Sequence, residues 1–148
     1  MNNDDVVKTL NELIETSKDG QLGFEKSAEQ VKDTELAALL RQRAVECRQA
    51  ATELQAQVTQ YGGSPETSGS ASGALHRTWV QVRSPLSAMS DHAVLDECER
   101  GEDHALASYR DALKTELPAT LRTLVERQLD GVQRNHDQIK ALRDRLPK

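Results

Sequence analysis

Large rings are almost missing from this chain: one Phe, one Trp and two Tyr among 148 residues, 3% in all. A core without them has to be narrow and filled by Leu, Val and Ala, as between helices of a bundle. Long apolar runs are missing too, so no segment approaches the roughly 20 residues that span a bilayer, and no membrane partner is expected. The opening Met1 to Asp5 is acidic where a secretory or transit peptide would be basic and then apolar or Arg-rich, which points to a cytoplasmic protein. Two cysteines, Cys47 and Cys98, are too few and too far apart for a disulfide scaffold or a Cys-based zinc site. Both fall on apolar helix stripes, where buried free thiols are common. With 19 Lys and Arg against 24 Asp and Glu, net charge −5, no dense cationic field exists for a nucleic-acid backbone. Nor is there a phosphate-binding loop or a strand context that would aim a Ser, His and Asp set at a substrate.

What is present is helical periodicity. Hydrophobic residues make up 36% and charged residues 29%, with a mean hydropathy of −0.67, the composition of helices with wide wet faces, and the length suits one domain. Apolar or small residues at Val6, Leu10, Leu13, Ser17, Gly20, Phe24, Ala28 and Val31 draw one stripe and predict a helix over about 3–31. Gly20 and Gly23 within it weaken the helix by roughly 1 kcal/mol each, so close helix approach or a local bend is expected there. After Asp33, a capping residue, the stripe Leu36, Leu40, Ala44, Cys47, Ala51, Leu54, Val58 and Tyr61 predicts a second helix over 34–61, ended by Gly62-Gly63. Residues 62–73 are aperiodic and Ser- and Gly-rich, and Leu75, Trp79 and Val82 suggest a short helix over 74–83. A third helix over 91–116 carries Leu95, Cys98, Glu102, Leu106, Tyr109 and Leu113; Pro118 opens a fourth over 118–146 with Leu121, Val125, Gln128, Val132, His136 and Ile139. A connection of about thirty residues between two hairpins is longer than an up-down-up-down bundle needs, and predicts an antiparallel four-helix bundle with one long crossover.

Most charges, including Glu12, Glu15, Asp19 and the run Arg41 to Arg43, lie off the stripes or at their edges and are expected to be solvated. The third helix differs. Glu99 and Glu102 share a face with Leu95, Leu106 and Tyr109, and the fourth answers with Gln128, Asn135 and His136. Counting back from the turn before Pro118, Glu99 pairs with His136 in depth and Glu102 with Gln133, roughly 22 to 27 Å into the bundle. An interior carboxylate beside an imidazole demands a metal, an Arg, or a mutual charge-assisted hydrogen bond. In the first hairpin Glu46 borders the stripe and is the carboxylate expected to point inward, with Arg43 one turn earlier able to neutralise it. Dimetal carboxylate bundles take one Glu and one Glu-x-x-His from each half. Here Gln133-Arg134-Asn135-His136 and Glu46-Cys47-Arg48-Gln49 are near misses, each with a Gln for one ligand. Glu46, Glu99, Glu102 and His136 are therefore the candidate metal ligands, for iron, manganese or zinc. His76, Arg77 and Trp79 form a second candidate patch, for an anion or a protein partner.

Several blocks together resemble a known group: Asp19-Gly20 with Gly23-Phe24, Glu46-Cys47, Gly62-Gly63-Ser64-Pro65, His76-Arg77 with Trp79, Glu97-Cys98-Glu99-Arg100-Gly101-Glu102-Asp103, and Asn135-His136-Asp137. The chain resembles, over nearly its whole length, an uncharacterised bacterial family of ferritin-like four-helix proteins known only as a domain of unknown function, mainly proteobacterial. The resemblance implies the ferritin-like fold and carries no activity with it. Three readings follow: a non-enzymatic, self-associating bundle, with a dimer favoured, whose Glu and His residues form a buried polar layer; a metal-binding protein in redox or stress protection; or an adaptor acting through the crossover patch.

Overall fold

In a computed structural model, residues 2–69 and 89–147 are described. They form four helices: α1 (Asn3–Gln30), α2 (Thr34–Gln60), α3 (Asp91–Leu113) and α4 (Ala119–Asp144). The expected short helix over 74–83, with His76, Arg77 and Trp79, lies outside the described residues. Among the described residues no helix is long and apolar enough to cross a membrane.

Three of the four helices, α1, α2 and α3, begin where a side chain takes up orphan N–H groups. Asn2 accepts from Asp5 N at 2.8 Å, Asp33 from Glu35 N and Leu36 N at 2.8 and 3.2 Å, and Ser90 from Ala93 N at 3.1 Å. Pro118 stands one place earlier than expected, as the extended cap residue before α4 rather than in its first turn. The third helix stops at Leu113, three residues short of the expected Glu116. There Arg122 of α4 donates to Leu113 O at 3.0 Å and Thr115 O at 2.6 Å, satisfying carbonyls at the end of the turn. The exit of α2 needs both of its glycines: Gly62 has φ +79°, and a Cβ on Gly63 would lie 2.6 Å from Val7.

The crossover is visible in its two anchors. At its start Asn11 of α1 and Gln55 of α2 bond the backbone of Ser64 and Glu66. At its end the Asp91 carboxylate accepts from Lys32 N and Asp33 N at 2.8 and 3.1 Å, at the α1–α2 turn. Gly63 and Asp91 thus sit at opposite ends of α2, whose 27 residues rise about 40 Å, so the two ends of the connection lie at opposite ends of the bundle. This is the ferritin-like arrangement of two hairpins. Direct packing joins α1 to α2, α3 to α4, and α1 to α3.

Two apolar clusters divide the core. One holds Val6, Leu10, Leu13, Leu54, Val58, Leu121 and Val125 near the ends of α1 and α2 that meet the crossover's start. The other holds Phe24, Leu36, Leu40, Ala44, Cys47, Leu95, Cys98 and Ile139 toward the α1–α2 turn. Between them the buried residues turn polar: Ser17, Arg43, Glu102 and Gln128. At Gly20 α1 lies close against α2, since a Cβ there would stand 2.9 Å from Cys47 Sγ, whereas a Cβ on Gly23 would meet nothing within 4 Å. Gly23→Ala is therefore expected to stabilise the protein by about 1 kcal/mol through helix propensity alone, and Gly20→Ala to lose that gain to the collision. Urea unfolding of the two variants checks this, and equal shifts would contradict the geometry.

Candidate functional site

The polar middle of the bundle starts from Arg43. The run of charges around it reads as a solvated surface, yet its side chain is only 8% exposed. It lies three residues after Leu40 and four before Cys47, so helical spacing puts it on the buried stripe rather than beside it. Its Nε donates to Glu102 Oε1 at 2.9 Å and its Nη2 to Glu102 Oε2 at 3.4 Å, a fork on a carboxylate that is 2% exposed. Nη1 reaches Glu46 Oε1 at 3.4 Å, and Asn135 of α4 donates to the same oxygen at 3.3 Å. The Phe24 ring of α1 completes the surround, its centre 5.6 Å from the Arg43 Cζ. All four helices contribute. Burial pushes the Glu102 carboxyl above its ordinary range, while the Arg43 guanidinium pulls in the opposite direction.

A second chain of polar groups crosses the bundle nearby. Tyr109 OH donates to Gln128 Oε1 at 2.7 Å, so at 3.4 Å from it Ser17 Oγ is left as the donor to the phenol oxygen. Gln128 Nε2 donates to Glu53 Oε1 at 3.0 Å and Ala50 O at 3.3 Å, and Arg127 to Glu53 Oε2 at 2.8 Å. Burial works against the Glu53 charge, but the bonds from Arg127 and Gln128 carry its carboxyl below the ordinary range. These side chains and the Asn135–Glu46 bond tie α2 to α4 across the bundle.

Beside both networks lies a cavity of about 1200 Å³. Gly20, Gly23, Gly101 and Gly131 line it, and Phe24, Cys47, Cys98 and Tyr109 give it apolar and aromatic wall. Asp19, expected in solvent, is buried at 8% exposure and also faces this space.

The four candidate metal ligands fall into two groupings. Glu46 and Glu102 close on Arg43, as described. Glu99 and His136 do meet, Nε2 to Oε2 at 3.7 Å, but the imidazole is nearer to Asp103 at 2.8 Å and Asp137 at 3.1 Å. Glu99 is in turn bound by Arg143, which also holds Asp96 at 2.8 Å. A dimetal centre needs carboxylates whose charge is neutralised by the ions. Here guanidinium groups already do that for Glu46, Glu99 and Glu102, and among the described residues no group of three or more His, Cys, Asp or Glu is placed to hold a metal ion. The residues present do not fit a dimetal centre.

Sequence reasoning found Glu46, Glu102 and Asn135, and Arg43 as the cation one turn before Glu46, a contact the structure shows; it missed that Arg43 is buried and forks on Glu102, for which the signal was the spacing from Leu40 and Cys47. Glu102→Ala is expected to cost about 3–5 kcal/mol, because it strands a buried guanidinium. Chemical denaturation measures this, with exposed Arg48→Ala near zero as the comparison. Burial also pushes the Cys47 and Cys98 thiols up to about 12. In the folded protein both should resist a thiol reagent at about pH 8 and react together once denaturant is added, as absorbance of the released thiolate would record.

Comparison with known proteins agrees with this architecture. Two solved structures from Mycobacterium smegmatis superpose on the chain. A Dps1 mutant does so with TM-score 0.74 at 14% identity, over 94% of this chain and 95% of that one. A tetragonal crystal form of Dps gives 0.75 at 14% identity, over 94% and 86%. At such identity the likeness is one of fold. No curated protein matches the sequence. A family model described as a domain of unknown function, DUF2383, matches residues 5–115, from the first turn of α1 past the end of α3 and across Arg43, Glu46 and Glu102, and the chain belongs to that ferritin-like family.

Proposed function

We propose that this protein is a non-enzymatic binding bundle, one that holds a small organic molecule in its central cavity and neutralises its interior carboxylates with its own side chains rather than with metal ions. The observation that carries this is the cavity of about 1200 Å³ at the level of the Arg43 and Tyr109 networks. Sites for small molecules run to about 300–1,000 Å³ and combine apolar wall with a few fixed polar groups. Phe24, Cys47 and Cys98 supply the first; Glu46, Asn135 and Gln128, each already oriented by a hydrogen bond, supply the second. Self-association belongs to the same reading, through polar surface, since among the described residues Leu22 is the large hydrophobic that stands exposed. Sedimentation showing monomer alone at high micromolar concentration would remove that part.

A metal-binding role in redox or stress protection is the second reading, favoured by the imidazole of His136 between Asp103 and Glu99. It asks for iron, manganese or zinc at a place where Arg143 already engages Glu99.

Two measurements separate these readings. Elemental analysis of protein purified without a chelating tag is expected to give sub-stoichiometric metal, and added iron, manganese or zinc to leave Tm in place; a stoichiometric ion that departs with His136→Ala would establish the second reading instead. For the first, native mass spectrometry of gently purified protein is expected to retain an organic molecule. Gly23→Leu, which grows a side chain into open space at the cavity wall, should exclude it. A ligand at about one hundred times its Kd stabilises by about 2.7 kcal/mol, so a compound library that never raises Tm of the parent above that of Gly23→Leu sinks the proposal.

A further inference from the structure

The head group of Arg43 is held as a bound ligand would be held. Glu102 meets two of its N–H groups with two oxygens, Glu46 meets a third nitrogen from another side, and the Phe24 ring stands 5.6 Å from the central carbon. These are the elements that recognise a free planar cation: a carboxylate fork in the guanidinium plane, a second carboxylate at its edge, and an aromatic ring near the delocalised charge. The methylene stem adds a tether to α2 and nothing to that recognition. Access exists as well, because Arg43, Glu46 and Glu102 all line the central cavity and the Glu46 side chain is 41% exposed.

We propose that Glu102, Glu46 and Phe24 form a planar-cation site whose resident is the Arg43 side chain, and that with this side chain shortened the site takes up a free guanidinium-bearing molecule. The donor set selects for that class. A divalent metal wants about six oxygens at fixed short distances, and two carboxylates beside one amide fall short of it. A compact ammonium cannot engage both oxygens of Glu102 in one plane. The inference stands on the geometry of Arg43 alone and does not need the cavity to have a natural ligand.

The test uses Arg43→Ala in the full chain, with Arg48→Ala as an exposed control on the same helix. Arg43→Ala leaves Glu102 buried without its counter-charge and should melt well below the parent. Low-millimolar methylguanidinium is then expected to raise its Tm by about 4 °C or more in a saturable way. The parent and Arg48→Ala should not respond, nor should Arg43→Ala respond to sodium, magnesium, manganese or zinc chloride. Adding Glu102→Gln to the Arg43→Ala background removes the fork's charge and should abolish the rescue. If Arg43→Ala alone does not fold, helical circular dichroism is followed during titration with methylguanidinium, where recovery supports the site and failure to recover overturns it. Stability of Arg43→Ala equal to the parent, rescue by sodium to the same extent, or rescue by a divalent ion alone would each overturn it too.

Discussion

Arg43 and Glu102 are a cation and an anion that have both left water in the middle of the bundle, and the surrounding architecture follows from keeping them together. Removing two charges from water costs several kcal/mol per ion, repaid only when geometry is good and the remaining hydrogen-bonding groups are engaged. The forked contact, the Glu46 oxygen and the Asn135 amide meet that demand with residues from α2, α3 and α4, and Phe24 brings α1 to the same level. Either apolar cluster alone would tolerate some sliding of one helix along another. A guanidinium that must find one particular carboxylate does not, so the pair fixes the helices in depth as well as in orientation.

The same layer bears on the cavity that opens beside it. Side chains at the polar level are aimed by hydrogen bonds, which hold atoms at set distances, whereas apolar packing draws walls inward until they touch. At Gly23 on the cavity wall a Cβ would meet nothing within 4 Å, so the space beside the two networks is left open there. A bundle with metal ions at this depth would gain its cohesion from bonds to those ions. In this chain the interior carboxylates Glu46 and Glu102 are met by the guanidinium of Arg43 and the amide of Asn135, and one fold can carry different groups at its centre.

Much of this was legible in the sequence, for reasons that differ by residue. Leu36, Leu40, Cys47, Leu54 and Val58 repeat with the helical period over many turns, so the helices and their antiparallel pairing could be read directly. Glu99 and His136 were brought to one level by counting from a turn, and they do meet. Arg43 could be paired with Glu46 from their spacing on one helix, but its burial was hidden: beside Arg41 and Gln42 it looks like part of a wet face, and its fork on Glu102 depends on another helix. Glu99 and Glu102 were read as one site, but three residues fall about 60° short of a full helical turn, enough to send one to Arg43 and the other to Arg143. The cavity had no local signal at all. Gly101 and Gly131 look unremarkable along the chain, and their shared depth with Gly20 and Gly23 exists only after the helices are in register.

Asp91 shows how the ends of the crossover are secured. Its two carboxylate oxygens grip consecutive backbone N–H groups of Lys32 and Asp33, so the start of α3 is fastened to the first hairpin by main-chain contacts that do not depend on which side chains Lys32 carries or on what precedes Ser90. With both ends of the connection pinned, doubling its length would add only about 0.6 kcal/mol of closure entropy.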